Sequence, residues 1–323
     1  MNIIDDLKAR GSFGFGAAQI GNLYRPIDDE TAHRAVEAAW DQGIRYFDTA
    51  PHYGLGLSET RLGAVLATKP RDEFIVSTKV GRLLRPNPEP QGQDAEGFAV
   101  ADDLTRVRDY SETGVLTSIE ESLERTGLDR IDIVYIHDPD DHWEQASTQA
   151  VKALNRLKDE GVVRAWGIGM NQAEMLHRFV TETNPDLIML AGRYTLLEQG
   201  AQKELLPACL ANNVGVVNVG VFNSGLLSKP RPAADATYNY EPAPAQLIDR
   251  ANQLADLAEK HGVTLPEAAL AFPYQHPAVC SVVIGMRTAE QVTSNVQMHT
   301  QAQNVPAELW EEAHELGYIT SHR

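Results

Sequence analysis

Cysteine and positive charge are both scarce in this chain. Two cysteines, Cys209 and Cys280, stand among 323 residues, and their separation resembles neither a metal knuckle nor a redox pair. A disulfide framework is therefore set aside, and both read as small buried apolar residues. Lys and Arg number 28 against 45 Asp and Glu, a formal net charge of −17. Gripping nucleic acid or an anionic membrane needs clustered cations, so neither is expected as a partner, and the acidic surface reads as solubilising. No apolar run approaches the roughly 20 residues of a membrane span. The opening MNIIDDLKAR also lacks a basic segment leading into an apolar one, so a cytoplasmic protein is expected. Also missing is a G-x-G-x-x-G between a strand and a helix, which counts against a dinucleotide bound on a doubly wound sheet.

What the chain does have is alternation. Hydrophobic residues make up 43% of it, enough for a sizeable core. A glycine-rich run at 11–20 reads as a short strand, and Ala32, Ala35, Val36, Ala39 and Trp40 mark a helix capped at Asp28 or Asp29 and stopped at Gly43. Strand-like runs follow at 44–49, 73–79, 131–136, 163–170, 187–190, 214–219 and 281–284, with helical spacing between them. About eight strands alternating with helices predict a parallel (β/α)8 barrel with extra helices and rim loops, one domain over 1–323. The segment 82–113 shows no clear period and reads as a functional loop or small insertion.

Candidate chemistry collects at strand ends. Asp48, Lys79 and His137 each follow the last apolar residue of consecutive strands, where a parallel barrel gathers its reactive groups. Tyr53 lies five residues past Asp48 in a loop broken by Pro51, Gly54 and Gly56, and can reach the other three. This set suits proton transfer at an oxygen. A free phenol is too weak a base near neutrality, and an ammonium about 4 Å away is expected to bring Tyr53 down by up to about three pKa units. Asp48 would then hold the lysine charge in place, and His137 would hydrogen-bond the substrate oxygen.

The run DTAPHYGLGLSE from Asp48, the STK ending at Lys79 and the IHD around His137 resemble the aldo-keto reductase superfamily, nearly from end to end of the chain. The resemblance implies a barrel oxidoreductase using NAD or NADP on a small molecule. Tyr53 would be the general acid/base, Lys79 and Asp48 its tuning pair, and His137 the orienting residue. Cofactor contacts are implied at Gly16, Ala17 and Ala18 after the first strand and at Met170 and Asn171, the Asn toward the carboxamide. Gly220, Val221, Phe222, Asn223 and Gly225 are implied at the pyrophosphate, and Gly285, Arg287, Gln291 and Asn295 at the adenosine end. Val219 stands where the family often has a stacking tyrosine, and Ala191 where it has a glutamine. Gly285 and Gln291 replace the Lys and Arg of NADP-preferring members, which implies a lean towards NAD, with Arg287 still nearby and NADP possible.

The wording of 50–59 and 191–197 resembles the branch holding D-threo-aldose (L-fucose) 1-dehydrogenases and pyridoxal 4-dehydrogenases. It implies oxidation of a hemiacetal to a lactone. The alternatives are a broad NADPH-dependent aldehyde or ketone reductase and a cofactor-binding regulatory subunit. A hydrolase using Asp138 and Asp140 has no matching motif. The run 137–142, HDPDDH, is rich in ligand types, yet Pro139 and the contiguous spacing make a metal cage awkward, and no metal is expected. Tyr24, His52 and Phe222 are candidate walls of the substrate pocket. His33 and His177 are expected on helix surfaces and Trp40 and Trp166 in the core. Oligomeric state leaves no pattern.

Overall fold

A computed structural model describes residues 2–233, 235–238 and 241–320. Twelve strands occur among them: β1 (Phe13–Gly16), β2 (Tyr46–Asp48), β3 (Ile75–Val80), β4 (Arg82–Pro86), β5 (Leu104–Arg108), β6 (Ile133–His137), β7 (Ala165–Met170), β8 (Leu187–Ala191), β9 (Gly215–Val219), β10 (Thr237–Tyr238), β11 (Glu241–Pro242) and β12 (Val279–Gly285). Eight of these, in the order β1, β2, β3, β6, β7, β8, β9 and β12, close into a parallel barrel. The expected (β/α)8 architecture is the observed one.

Two packed layers account for its stability. Inside the barrel, Tyr46, Ile75, Ile133, Tyr135, Leu187, Met189, Val217 and Val283 fill the lumen. Outside it, alternate strand residues such as Phe47, Val76, Val134, Trp166 and Ile188 pack against the helices. Strands buried on both faces explain why the sequence shows near-continuous apolar runs there. Helices start where side chains can accept from free backbone N–H groups: Asp28 from Thr31 at 2.8 Å, Ser111 from Gly114 at 3.0 Å, and Thr264 in a capping box with Glu267. Cys209 and Cys280 are buried and unbridged, as expected. Trp166 is fully buried, Trp40 lies half-buried under Arg45 at 3.8 Å, and His33 is exposed.

Three elements differ from the expectations. Residues Ile3–Arg10, read only as lacking a leader, form a helix capped by Asn2, and its Ile3 and Leu7 close the barrel floor beneath the lumen residues. The strand expected over 11–20 is only Phe13–Gly16, after which Ala17–Gly21 makes a 3-10 turn. The aperiodic segment after Lys79 contains an antiparallel hairpin, β4 paired with β5 from Arg82↔Arg108 to Pro86↔Leu104. Its connecting loop docks on the turn after β1: Tyr24 N donates to Gly97 O at 2.8 Å and Ala99 N to Asn22 O at 2.9 Å. The hairpin is thereby fastened over the carboxyl mouth of the barrel.

Candidate active site

Asp48 ends β2, Lys79 is the penultimate residue of β3 and His137 ends β6. Lys79, only 2% exposed, donates from Nζ to Asp48 Oδ2 at 2.6 Å and to Thr49 O at 2.9 Å. The other carboxylate oxygen of Asp48 accepts from Ser77 Oγ at 2.7 Å, and Ser77 Oγ lies 3.1 Å from the Tyr46 hydroxyl. Buried charges persist only when paired and hydrogen-bonded, and this pair is both.

Tyr53 is brought onto the pair by a tight turn. Gly54 (φ 64°) presses on Gly21 so closely that a Cβ there would fall 2.2 Å from Gly21 O, and Lys79 Nζ lies 4.6 Å from the centre of the Tyr53 ring. The His137 ring meets Tyr53 edge to face at 6.0 Å and 89°. The structure thus gathers the three residues singled out at strand ends and the loop tyrosine.

Their protonation departs from expectation in one respect. Burial pushes the Tyr53 phenol above its ordinary pKa; Lys79 pulls it down, and Asp48 pushes it up. The expected lowering is outweighed, because burial of the phenol is the largest of these effects and exceeds the pull of Lys79. Lys79 itself is raised: burial works against its charge, and the pairing with Asp48 and Tyr53 outweighs it. His137 is held neutral, first by burial and then by Arg82 and Lys79.

The hairpin adds groups that sequence reading missed. Arg82 Nη1 reaches His52 Nδ1 at 3.2 Å, and its Nη2 donates to Asp138 Oδ2. Arg106 donates to the His52 carbonyl at 2.9 Å and to Asp94 at 2.5 Å, while Arg108 donates to Asp138 O at 2.7 Å. Phe98 packs edge-on against His52 at 5.1 Å. The one available signal was the VGR after Lys79, a glycine and an arginine at the start of a segment without period. The His52 ring lies 5.8 Å from that of Tyr53 and 5.5 Å from that of His137. Tyr24 is 61% exposed on the outer rim, and Phe222 is half-buried, packed against the outer core. Among the described residues no cluster of metal-ligating side chains occurs, and no helix is long and apolar enough to cross a membrane.

The residues expected at a cofactor lie on neighbouring strand ends of the same mouth. Gly16 closes β1, with Ala17 and Ala18 opening the 3-10 turn; Met170 closes β7 and Asn171 is exposed beside it. Beyond β9, Gly220 (φ 69°) passes so near β8 that a Cβ would sit 3.1 Å from Gly192 N. Val221 is fully buried, and Asn223 and Gly225 also take positive φ. The Oδ1 of Asn223 is buried without a hydrogen-bond partner. Bare backbone at the strand ends and an orphaned polar atom in this loop fit a dinucleotide lying across it. At the far end Arg287, 7% exposed, folds its guanidinium onto Gln19 Oε1 and Leu23 O, both at 2.6 Å. Gln291 Oε1 accepts from Arg287 N at 2.9 Å, and Asn295 follows one turn along the same helix.

The closed barrel gathers four polar residues at its mouth, a set able to move a proton to or from an oxygen. Residues 12–314 match the aldo/keto reductase family, and the chain belongs to that family, whose members use a nicotinamide cofactor. It is 53% identical to a D-threo-aldose 1-dehydrogenase of Pseudomonas sp over 95% of this chain and 94% of that one. It is 36% identical to a pyridoxal 4-dehydrogenase of Microbacterium luteolum over 96% and 94%. In fold it resembles the holo form of an aldo-keto reductase from Bacillus halodurans, with 25% identity, a TM-score of 0.68, and 92% and 91% of the two chains covered.

Proposed function

We propose that the chain is an NAD-preferring aldose 1-dehydrogenase, which oxidises the hemiacetal hydroxyl at C1 of a cyclic sugar such as L-fucose to give a lactone. The observation that carries the catalytic part is the Tyr53 ring resting on the buried Lys79–Asp48 pair with His137 edge-on beside it. When bound, the nicotinamide accepts the hydride. Tyr53, ionised beside the lysine charge that stabilises its phenolate, takes the hydroxyl proton and becomes the neutral phenol, while Asp48 and Ser77 keep that charge in place and neutral His137 orients the reacting oxygen.

Residues 16–18, Met170, Asn171, the 220–225 loop and the 285–295 segment would hold the cofactor. The NAD preference is supported by Gly285 and Gln291, which offer a 2′-phosphate no cation, and by Arg287, whose guanidinium already serves Gln19 and Leu23. The aldose is supported by the 53% identical relative, and pyridoxal is the second reading on the strength of the 36% identical one. Purified protein incubated with L-fucose, pyridoxal and simple aldehydes, each with NAD and NADP, tests the proposal. NAD-dependent turnover of L-fucose is expected. Reduction of aldehydes with NADPH and no NAD-dependent oxidation of either candidate would overturn it.

A further inference from the structure

Imidazole nitrogens have opposite roles in the neutral ring, and which one carries the proton is set by the partner of the other. A guanidinium only donates, so the 3.2 Å contact between Arg82 Nη1 and His52 Nδ1 makes Nδ1 the acceptor and leaves the proton on Nε2. Arg82 is itself fixed, 6% exposed, with its other arm on Asp138. The His52 backbone is held as well, by Arg106 on its carbonyl, and Phe98 packs edge-on against its ring. His52 Nε2 makes no hydrogen bond to a described residue, and the side chain keeps 14% of its surface open. Its ring stands 5.8 Å from Tyr53 and 5.5 Å from His137.

We infer that His52 is a specificity-determining residue: locked by Arg82 as the Nε2–H tautomer, it donates a hydrogen bond to the substrate oxygen on the carbon next to the reacting one. The site is thereby matched to α-hydroxy carbonyl compounds and their hemiacetals. His137 addresses the reacting oxygen and His52 its neighbour. Arg82, which also donates to Glu96 Oε2 at 3.3 Å, is a positioning residue, acting through His52 and Asp138. The inference rests on the dehydrogenase reading for the aldose, while the tautomer and the α-hydroxyl preference stand apart from it.

The test has two arms. In 15N-histidine spectra of the protein, the signal lost in His52→Phe is expected to show a protonated Nε2 and a bare Nδ1. Arg82→Met is expected to mix the tautomers, and Arg82→Lys to restore part of the lock. A His52 signal that is Nδ1-protonated or cationic at neutral pH overturns the inference. In kinetics, the ratio of kcat/KM for glyceraldehyde over propanal reduction is expected to fall about tenfold in His52→Phe, the worth of one hydrogen bond. An equal loss on both aldehydes would mean that His52 is structural only, and would sink the specificity role. This pair needs no aldose ring, so failure of L-fucose oxidation in wild-type protein would count against the aldose reading alone.

Discussion

Ser77 donates from Oγ to Asp48 Oδ1 at 2.7 Å, on the side of the carboxylate turned away from Lys79. The serine sits two residues before the lysine on β3, so one strand supplies both partners of the acid. Ser77→Ala leaves a buried carboxylate oxygen without its donor. A loss of about 1.5–3 kcal/mol in folding stability is expected, the range for hydrogen bonds to charged groups, together with lower kcat at little-changed KM. Urea unfolding beside steady-state kinetics checks both. Wild-type values in the variant would mean that Lys79 alone holds Asp48.

The upward displacement of Tyr53 sets the direction of the pH dependence. Oxidation needs the phenol ionised so that it can accept a proton, and kcat/KM for the alcohol should therefore climb with pH and level off only above the ordinary phenol value of about 10. Reduction needs the phenol protonated and should be flat through neutrality. Tyr53→Phe is expected to remove about 10²–10⁴-fold of activity in both directions while cofactor still quenches protein fluorescence. Undiminished oxidation in this variant would discard the assigned base.

Stability should respond to pH through His52 and His137. Burial, then Arg82, holds His52 down at about 2, and the same causes hold His137 well below its ordinary value. The unfolded chain takes up these protons near pH 6.5 and the folded one does not, so stability is intact above that pH and falls as pH drops below it. The slope is up to about 1.4 kcal/mol per pH unit for each histidine. Urea midpoints at pH 7 and pH 5 should differ accordingly, and His52→Gln should flatten the slope by one proton. Equal slopes in variant and wild type would show that His52 titrates normally.

Gly54 holds Tyr53 in place by contact. Gly54→Ala drives a methyl to 2.2 Å from Gly21 O at a φ of 64°, so strain and clash add. Gly161 has φ 74° with nothing within 4 Å of a Cβ, and Gly161→Ala carries only the left-handed penalty of about 1–2 kcal/mol. Gly54→Ala is expected to lose about 1–3 kcal/mol beyond that control, and it alone should lower kcat. Thermal melts and kinetics of the two variants side by side settle the comparison.

The barrel and the four residues at its mouth were legible because strands buried on both faces write continuous apolar runs, and Asp48, Lys79 and His137 interrupt those runs at their ends. The hairpin was not, because its strands carry arginines that earn their places by ion pairing and not by apolar alternation: Arg82, Arg85, Arg106 and Arg108 hide any period of two. The first helix was missed because Ile3–Arg10 is short, and its buried residues matter only once a barrel floor exists to receive them. Tyr53's protonation was misjudged for a related reason. Proximity of a lysine is visible in a motif, whereas the burial that outweighs it belongs to the folded chain.

Charge at the mouth has a consequence for encounter. Lys79 stands there paired with Asp48, and Arg82 and Arg106 with Asp138, Glu96 and Asp94, while Arg108 donates to the Asp138 carbonyl, so four cations meet four carboxylates. The mouth is therefore locally balanced, and the chain's −17 is distributed over the rest of its surface. An approaching neutral sugar feels little of that field, whereas an anion such as a phosphorylated sugar is repelled at long range until salt shortens the reach to about 10 Å near 0.1 M. Ionic strength thus becomes a filter: association of neutral substrates should be indifferent to it, and that of anionic competitors should quicken as salt is added.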